Sequence, residues 1–332
     1  MKVLQIANYK EGVGGISVQV KLLKDKLLAE GYECDIISTK GSAWQRLRSI
    51  VHLLIIGKNY DAFHVHACSG RGFFPAIIGI TSGRWLHKRT VLTYHGGGAE
   101  EFFRKHPKMV RHYLSKTYAN IALSGFIGKV FDRYGLEYTV IPNIVEMEDR
   151  DIKVRKTIMP HLISIRTLAE TYNIECTLKS FALVKQEFPE ATLVLVGDGP
   201  LRHQLEVFVR DNSIRDVTFV GQVNNDQIYQ YLNQADIMVS SAWTDNMPVS
   251  ILEGFNAGLL VIASNVGGIP YMIEERKNGL LFEAGDYHGL ASQIKWAINN
   301  QGSCLSMIEN ARQSVKKYSW AEIRDKILVL FQ

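Results

Sequence analysis

Short β-branched runs alternate with amphipathic helical stretches along nearly the whole chain, and the alternation is interrupted once. "VLQIAN", "CDIIST", "AFHVHA", "TVLTYH", "NIALS" and "TVIPN" are apolar runs bounded by turn residues, with helical patterns between them. Strands separated by helices pair in parallel, and both faces of their sheet are covered. The interruption is "VEMEDRDIKVRKTIMP", residues 145–160, which is charged, weakly periodic and reads as a linker. The pattern then restarts with "HLISIRT", "ATLVLVGDG", "VTFVGQV", "DIMVSSA", "LLVIASN" and "GLLFEAG". The expected class is α/β: two doubly wound parallel-sheet domains. The first is residues 1–147 together with about 316–332, the last helix "SWAEIRDKILVLF" packing back onto it. The second is 148–315. A chain of 332 residues suits two cores. Ligands of such sheets bind outside the carboxyl ends of the strands, so the site is expected in a cleft between the domains.

Bulk properties exclude several classes. Cys34, Cys68, Cys176 and Cys304 have no C-x-x-C pairing, which argues for free thiols and against zinc or a disulfide framework. "MKVLQIANYK" reads as a first strand, not a signal peptide. No apolar run reaches the roughly 18 residues of a membrane span. A cytoplasmic chain is expected, at most peripheral on the inner face of a membrane. The net charge of +5 is uneven: residues 1–150 hold 21 Lys+Arg against 13 Asp+Glu, and residues 40–112 hold 12 against 3. This suits an anionic partner, or is simply a solvated face. "WQRLRSIVHLLIIGK" (44–58) places Trp44, Leu47, Ile50, Val51 and Leu54 near one helical face, with Arg46, Arg48 and Lys58 nearby. That helix either rests on an anionic membrane surface or packs on its own sheet.

Two Gly-rich turns open helices after strands. In "EGVGGIS", Gly14 and Gly15 let backbone approach a ligand, and the helix predicted from Ser17 (N-cap) to Gly31 presents free N–H groups. "VGDGPLRHQLE" repeats this with Gly197 and Gly199. Either turn also makes sense as a tight turn with no ligand, and neither has the dinucleotide spacing. Arg166 ends the strand of "ISIRTLAETYN", where its planar fork suits a pyrophosphate; otherwise it is a surface arginine paired with Glu170 or Glu175. In "SSAWTDNMPVSILEGFNAG", a helix starting at Pro248 leaves the N–H groups of Val249 and Ser250 for a diphosphate. Glu253 is then placed for a ribose diol and Asp245 for sugar hydroxyls. The alternative is an N-cap at Asp245 or Asn246 and a solvated helix acid at Glu253.

Taken in order, these segments resemble a known family: the retaining glycosyltransferases of two-domain GT-B type, family 4, with its Glu-x7-Glu motif. "GGISVQV", "TYHGG", "IALS" and "IPNIV" resemble its first-domain segments. "LVGDGPLRHQLE", "FVGQV", "ADIMVSSAWTDNMPVSILEGFNAG", "VIASNVGGIP" and "NGLLFEAGD" follow in the second. The resemblance implies two Rossmann-like domains facing a central cleft and a nucleotide-sugar donor. It implies that Glu253 binds ribose, Asp245 the donor sugar and Arg166 the diphosphate. His95 stands near the reacting centre. Gly14, Gly15, Gly197, Gly199, Asn246, Met247, Pro248, Val249 and Ser250 line the donor. The departures are Asp245 in place of the commoner Glu, Thr171 where a lysine is usual, and Tyr271 where Glu is frequent.

The implied reaction is metal-independent transfer, with retention, of a hexose or N-acetylhexosamine from a UDP-sugar in preference to a GDP-sugar. The acceptor is a hydroxyl of a saccharide or lipid-linked acceptor, in cell-surface polysaccharide or glycolipid synthesis. No cofactor and no nucleic-acid partner are expected. Two rivals stay open: a GT-B-fold nucleotide-sugar epimerase, and an inactive nucleotide-sugar-binding subunit prompted by Thr171. A nicotinamide dehydrogenase is disfavoured by the glycine spacing.

Overall fold

The structure, a computed structural model, describes residues 1–11, 14–146, 152–224 and 227–332. Gly12 and Val13 of the first Gly-rich turn, and 147–151 of the linker, lie outside the described residues. The chain divides into two compact units, Met1–Ile144 with Tyr318–Gln332, and Val145–Lys317.

Unit 1 runs β1 (Lys2–Ala7), α1 (Gly15–Ala29), β2 (Glu33–Ser38), α2 (Ala43–Ile56), β3 (Ala62–Ala67), α3 (Phe74–Trp85), β4 (Arg89–Tyr94), α4 (Ala99–Lys105), α5 (Pro107–Leu114), β5 (Ala119–Ala122), α6 (Gly125–Arg133) and β6 (Thr139–Val140). Its parallel sheet has the order β2-β1-β3-β4-β5-β6, so strand order reverses between β1 and β3. Every residue of β3 is buried, as a strand covered on both faces requires. Helix α13 (Trp320–Leu328) belongs to this unit: Ile323, Ile327 and Phe331 pack with Val3, Leu23 and Leu27.

Unit 2 runs β7 (His161–Ile165), α7 (Ile174–Glu187), β8 (Thr192–Val196), α8 (Arg202–Asp211), β9 (Val217–Gly221), α9 (Ile228–Gln234), β10 (Ile237–Ser240), α10 (Val249–Asn256), β11 (Leu260–Ser264), β12 (Leu280–Phe282), α11 (Tyr287–Asn299) and α12 (Gln301–Val315). The order is β12-β11-β10-β7-β8-β9, again parallel, with the reversal between β7 and β10.

Three local expectations are corrected. Helix α1 starts at Gly15, and its N-cap is Gly14 at φ 81°, a left-handed setting that glycine adopts without strain. Ser17 lies inside the helix, where its Oγ accepts from Lys10 N at 3.1 Å. Helix α10 starts at Val249, and Pro248 is its N-cap, one residue later than expected. Helix α2 is capped by Ser42 in a reciprocal box with Gln45. Its exposed stripe is Trp44, Leu47, Val51 and Ile55; Ile50 packs on the unit's core and Leu54 is half-buried.

Arg155, whose side chain is fully buried, ties unit 2 together. It donates to Leu232 O (2.8 Å) and Ala235 O (2.6 Å) at the end of α9, and to Ala257 O (2.7 Å) and Gly258 O (3.1 Å) at the end of α10. Asp236, also buried, balances its charge at 3.1 Å. One planar fork thus supplies donors to carbonyls at the ends of two helices, where the helical ladder runs out. Arg155→Met should lower stability by about 3 kcal/mol, because it leaves the buried Asp236 carboxylate with only the partly exposed Lys153 and His161 as charge partners among the described residues and takes a donor from the carbonyls at both helix ends. Chemical denaturation checks this; a loss below about 1 kcal/mol contradicts it.

Candidate functional site

Unit 2 brings its candidate residues to the strand-order reversal. Arg166 follows β7, and Asp245 lies in the loop after β10, the adjacent strand. Their side chains meet, Arg166 Nη1 to Asp245 Oδ2 at 3.1 Å. Arg166 Nη2 donates to Ser240 Oγ at 2.8 Å, and its guanidinium lies 5.3 Å from the Tyr172 ring centre. Its Nε is buried with no acceptor among the described residues. Glu175 pairs with Lys179 instead, so Arg166 is not the surface arginine of the alternative reading.

The glycines gain a concrete reason. A Cβ on Gly197 would stand 2.0 Å from Arg166 O, and one on Gly199 would stand 2.4 Å from Leu168 O. Their turn is pressed against the loop that carries Arg166, and Leu168 N donates to Asp198 O at 3.1 Å. On the other side, Gly267 at φ 55° passes so close to Asp245 O that a Cβ would sit 1.9 Å away. Gly268 N donates to that same oxygen at 3.0 Å. The Asp245 loop is therefore set from outside by "VGG", and Asp245 Oδ1 accepts from Asn246 N at 2.8 Å.

Helix α10 is buried along nearly all its length, from Ser250 to Asn256. Asn246 and Met247 before it are buried as well. Pro248 has no N–H, and its carbonyl accepts from Ile251 N at 3.1 Å. The N–H groups of Val249 and Ser250 carry no hydrogen bond to the described residues, so the positive end of the helix dipole keeps two donors. Glu253 is buried at 8% exposure, which overturns the alternative of a solvated helix acid. The Thr171 carbonyl accepts from Trp243 N at 2.8 Å, so the departure at 171 stands beside the β10 loop.

Unit 1 holds His95, Gly14 and Gly15, and here the structure shows partners that the sequence reading missed. His95 Nε2 lies 3.0 Å from His66 Nδ1, and His66 Nε2 lies 2.9 Å from Gln5 Oε1. Gln5 Nε2 donates to Val20 O at 3.0 Å. That carbonyl only accepts, so the Gln5 amide turns its N–H₂ there and its oxygen toward His66. His66 then carries its proton on Nε2 and accepts at Nδ1. His95 must donate from Nε2, which leaves its Nδ1 as an acceptor with no partner among the described residues. His64 stacks on His66 at 4.2 Å and bonds Thr93 Oγ1 at 2.8 Å. The three rings line a cavity of about 30 Å³ with Gln19, Thr93 and Asn143. The available signal was "AFHVHA": two histidines two apart on one face of an otherwise apolar strand.

Burial is the main cause that keeps these rings neutral. It lowers His95 to about 4 and His64 to about 3, neighbouring His95 adding to the latter, and holds His66 well below its ordinary value.

The family follows from this architecture. Two six-stranded parallel sheets with flanking helices, each with a strand-order reversal, make the GT-B architecture. The chain belongs to the glycosyl transferases group 1 family, which it matches over residues 146–314, just over half of its 332 residues. It is 24% identical over 345 residues to an uncharacterized glycosyltransferase of Methanocaldococcus jannaschii, covering 96% of this chain and 95% of that protein. It is 23% identical over 338 residues to the alpha-monoglucosyldiacylglycerol synthase of Streptococcus pneumoniae, covering 87% and 76%. Other curated relatives are matched over less than half of their own length. The Anabaena HepE structure in complex with UDP and glucose shares the fold at TM-score 0.77 and 18% identity, over 99% of this chain and 98% of that one.

The histidine cluster predicts an acid-sensitive fold. The unfolded chain takes up protons at its histidines near pH 6.5, while the folded rings refuse them until far lower pH. Stability is therefore fully present above about pH 6.5 and falls as the pH drops toward 4. For His64 the loss at pH 5 is about 2 kcal/mol. Thermal melts between pH 7.5 and 5 should show the decline, and His64→Leu should flatten it; an unchanged slope in that variant contradicts the assignment.

Proposed function

We propose that this glycosyltransferase moves a hexose or N-acetylhexosamine from a UDP-sugar, in preference to a GDP-sugar, to a hydroxyl of a saccharide or lipid-linked acceptor. Transfer proceeds with retention and without a metal ion, on the inner face of a membrane, in polysaccharide or glycolipid synthesis. The observation that carries the reading is the start of α10: two unspent N–H donors beside Arg166, with a buried carboxylate at Glu253 farther along the helix. The UDP and glucose of the HepE complex support the donor class, and the diacylglycerol named for the pneumococcal relative supports a lipid acceptor.

In this reading the α10 N–H groups and Arg166 hold the diphosphate, Glu253 accepts from the ribose diol, and Asp245 accepts from the donor sugar. Gly14 and Gly15 approach the phosphates, and His95 stands at the sugar. The acceptor O–H attacks the anomeric carbon from the side on which UDP leaves. The carbon–oxygen bond to the diphosphate breaks, and a diphosphate oxygen takes the acceptor's proton. Fixed positive charge at the leaving group does the work a metal does elsewhere, because oriented donors need no reorganisation during reaction. Arg166 is drawn from Asp245 toward the diphosphate when donor binds. The residue at 171 supplies no charge, which favours, as a second reading, a subunit that binds donor without turning it over.

Calorimetry with UDP, and hydrolysis of UDP-glucose and UDP-N-acetylglucosamine, test both. Glu253→Ala should weaken UDP binding about tenfold to a hundredfold, the effect of losing hydrogen bonds to a charged acceptor. Turnover should survive EDTA. Unchanged UDP affinity refutes the ribose role. Activity lost to EDTA and restored by Mn²⁺ refutes metal independence, and binding without any turnover selects the second reading.

A further inference from the structure

Helix α2 is apolar on two sides. Its inner side packs on unit 1 through Leu53, with Ile50 and Ile56 against the same core. Its outer side carries Trp44, Leu47, Val51 and Ile55, spaced three, four and four residues apart, so they form one stripe. Trp44 is 80% exposed and Ile55 60%. A surface helix that needs only one apolar side has no folding use for the second.

The stripe belongs to a wider layer. Helix α2 packs beside α3, and α3 beside α5. Arg46 of α2 lies over the Phe74 ring of α3 at 5.2 Å, and past the helix ends Lys88 Nζ donates to Lys58 O at 2.8 Å. At the end of α3, Trp85 is 67% exposed. Next along the layer, α5 exposes Lys108 and Arg111. Between residues 36 and 99 the sole acid is Asp61, and residues 102–131 contain six Lys+Arg and no acid. The Trp44 end of α2 follows the carboxyl end of β2, the same edge of the sheet at which β4 delivers His95.

We propose that the outer face of α2, α3 and α5 is a docking surface for an anionic lipid bilayer. Aliphatic and indole side chains enter the headgroup boundary, and the bases around them meet lipid phosphates. The chemistry selects this occupant. Leu47, Val51 and Ile55 offer nothing to a nucleic acid. A second copy of the chain would set one basic face against another. Among the described residues no helix is long and apolar enough to cross a membrane, so the attachment is a lateral one. In linking this surface to the acceptor the proposal rests on the glycosyl-transfer reading; the surface itself does not.

The test is flotation of the full chain with vesicles of phosphatidylcholine alone and of equal parts phosphatidylcholine and phosphatidylglycerol. The expected result is flotation with the mixed vesicles only, weakening as salt is raised. The triple variant Leu47→Gln, Val51→Gln, Ile55→Gln should lose more than tenfold of that partitioning, and so should Lys108→Glu with Arg111→Glu. Both variants should keep the thermal melt and the UDP affinity of the parent chain. Equal binding to neutral vesicles, or variants that float as the parent does, overturns the proposal. So does light scattering that shows a dimer which the triple variant dissolves while the parent ignores vesicles. Loss of UDP affinity in the parent chain would sink the donor reading and leave the vesicle result standing.

Discussion

The carboxyl edge of the second sheet depends on how α10 is held at its two ends. At its last turn, Arg155 takes up carbonyls that the helix cannot satisfy and shares itself with the end of α9. At its first turn, the preceding loop is wedged by Gly267 and tied through Asp245 O to Gly268. A buried helix fixed this way can leave its first N–H groups unpaired, since neither end is free to shift and find them a partner. The arrangement stores donors where an anion fits.

Topology explains why the charged residues meet there. Adjacent strands β7 and β10 send their following chain to opposite sides of the sheet, so a gap opens between their loops at the reversal. Arg166 enters it from one strand and Asp245 from the other. Unit 1 repeats the rule between β1 and β3, and the neutral relay Gln5–His66–His95 starts across that pair before stepping to β4. At its reversal unit 2 holds an arginine paired with a carboxylate, and unit 1 holds a neutral imidazole acceptor.

Much of this was legible in the chain. Twelve short apolar runs between helices define parallel sheets because no hairpin can join them, and the second reversal was marked by Arg166, Gly197 and "DNMPVS". What escaped was non-local or degenerate. The partnership of Gln5 with His66 joins residues 61 positions apart, and no local period records it. Helix α2 is apolar on both sides, so periodicity alone could not say which side faces out: of the face Trp44, Leu47, Ile50, Val51 and Leu54, Ile50 packs inward, while Ile55, outside that set, is exposed. Glu253 looked like a solvated acid because burial of α10 comes from β10, β11 and α12 around it, not from its own pattern.

The central claim is that α10 and Arg166 grip a nucleoside diphosphate. A crystal structure of the chain grown with UDP tests it most directly. The account predicts phosphate oxygens within about 3 Å of the N–H groups of Val249 and Ser250 and of Arg166, with the ribose diol on Glu253. Diphosphate bound elsewhere, with Arg166 still closed on Asp245, would contradict it.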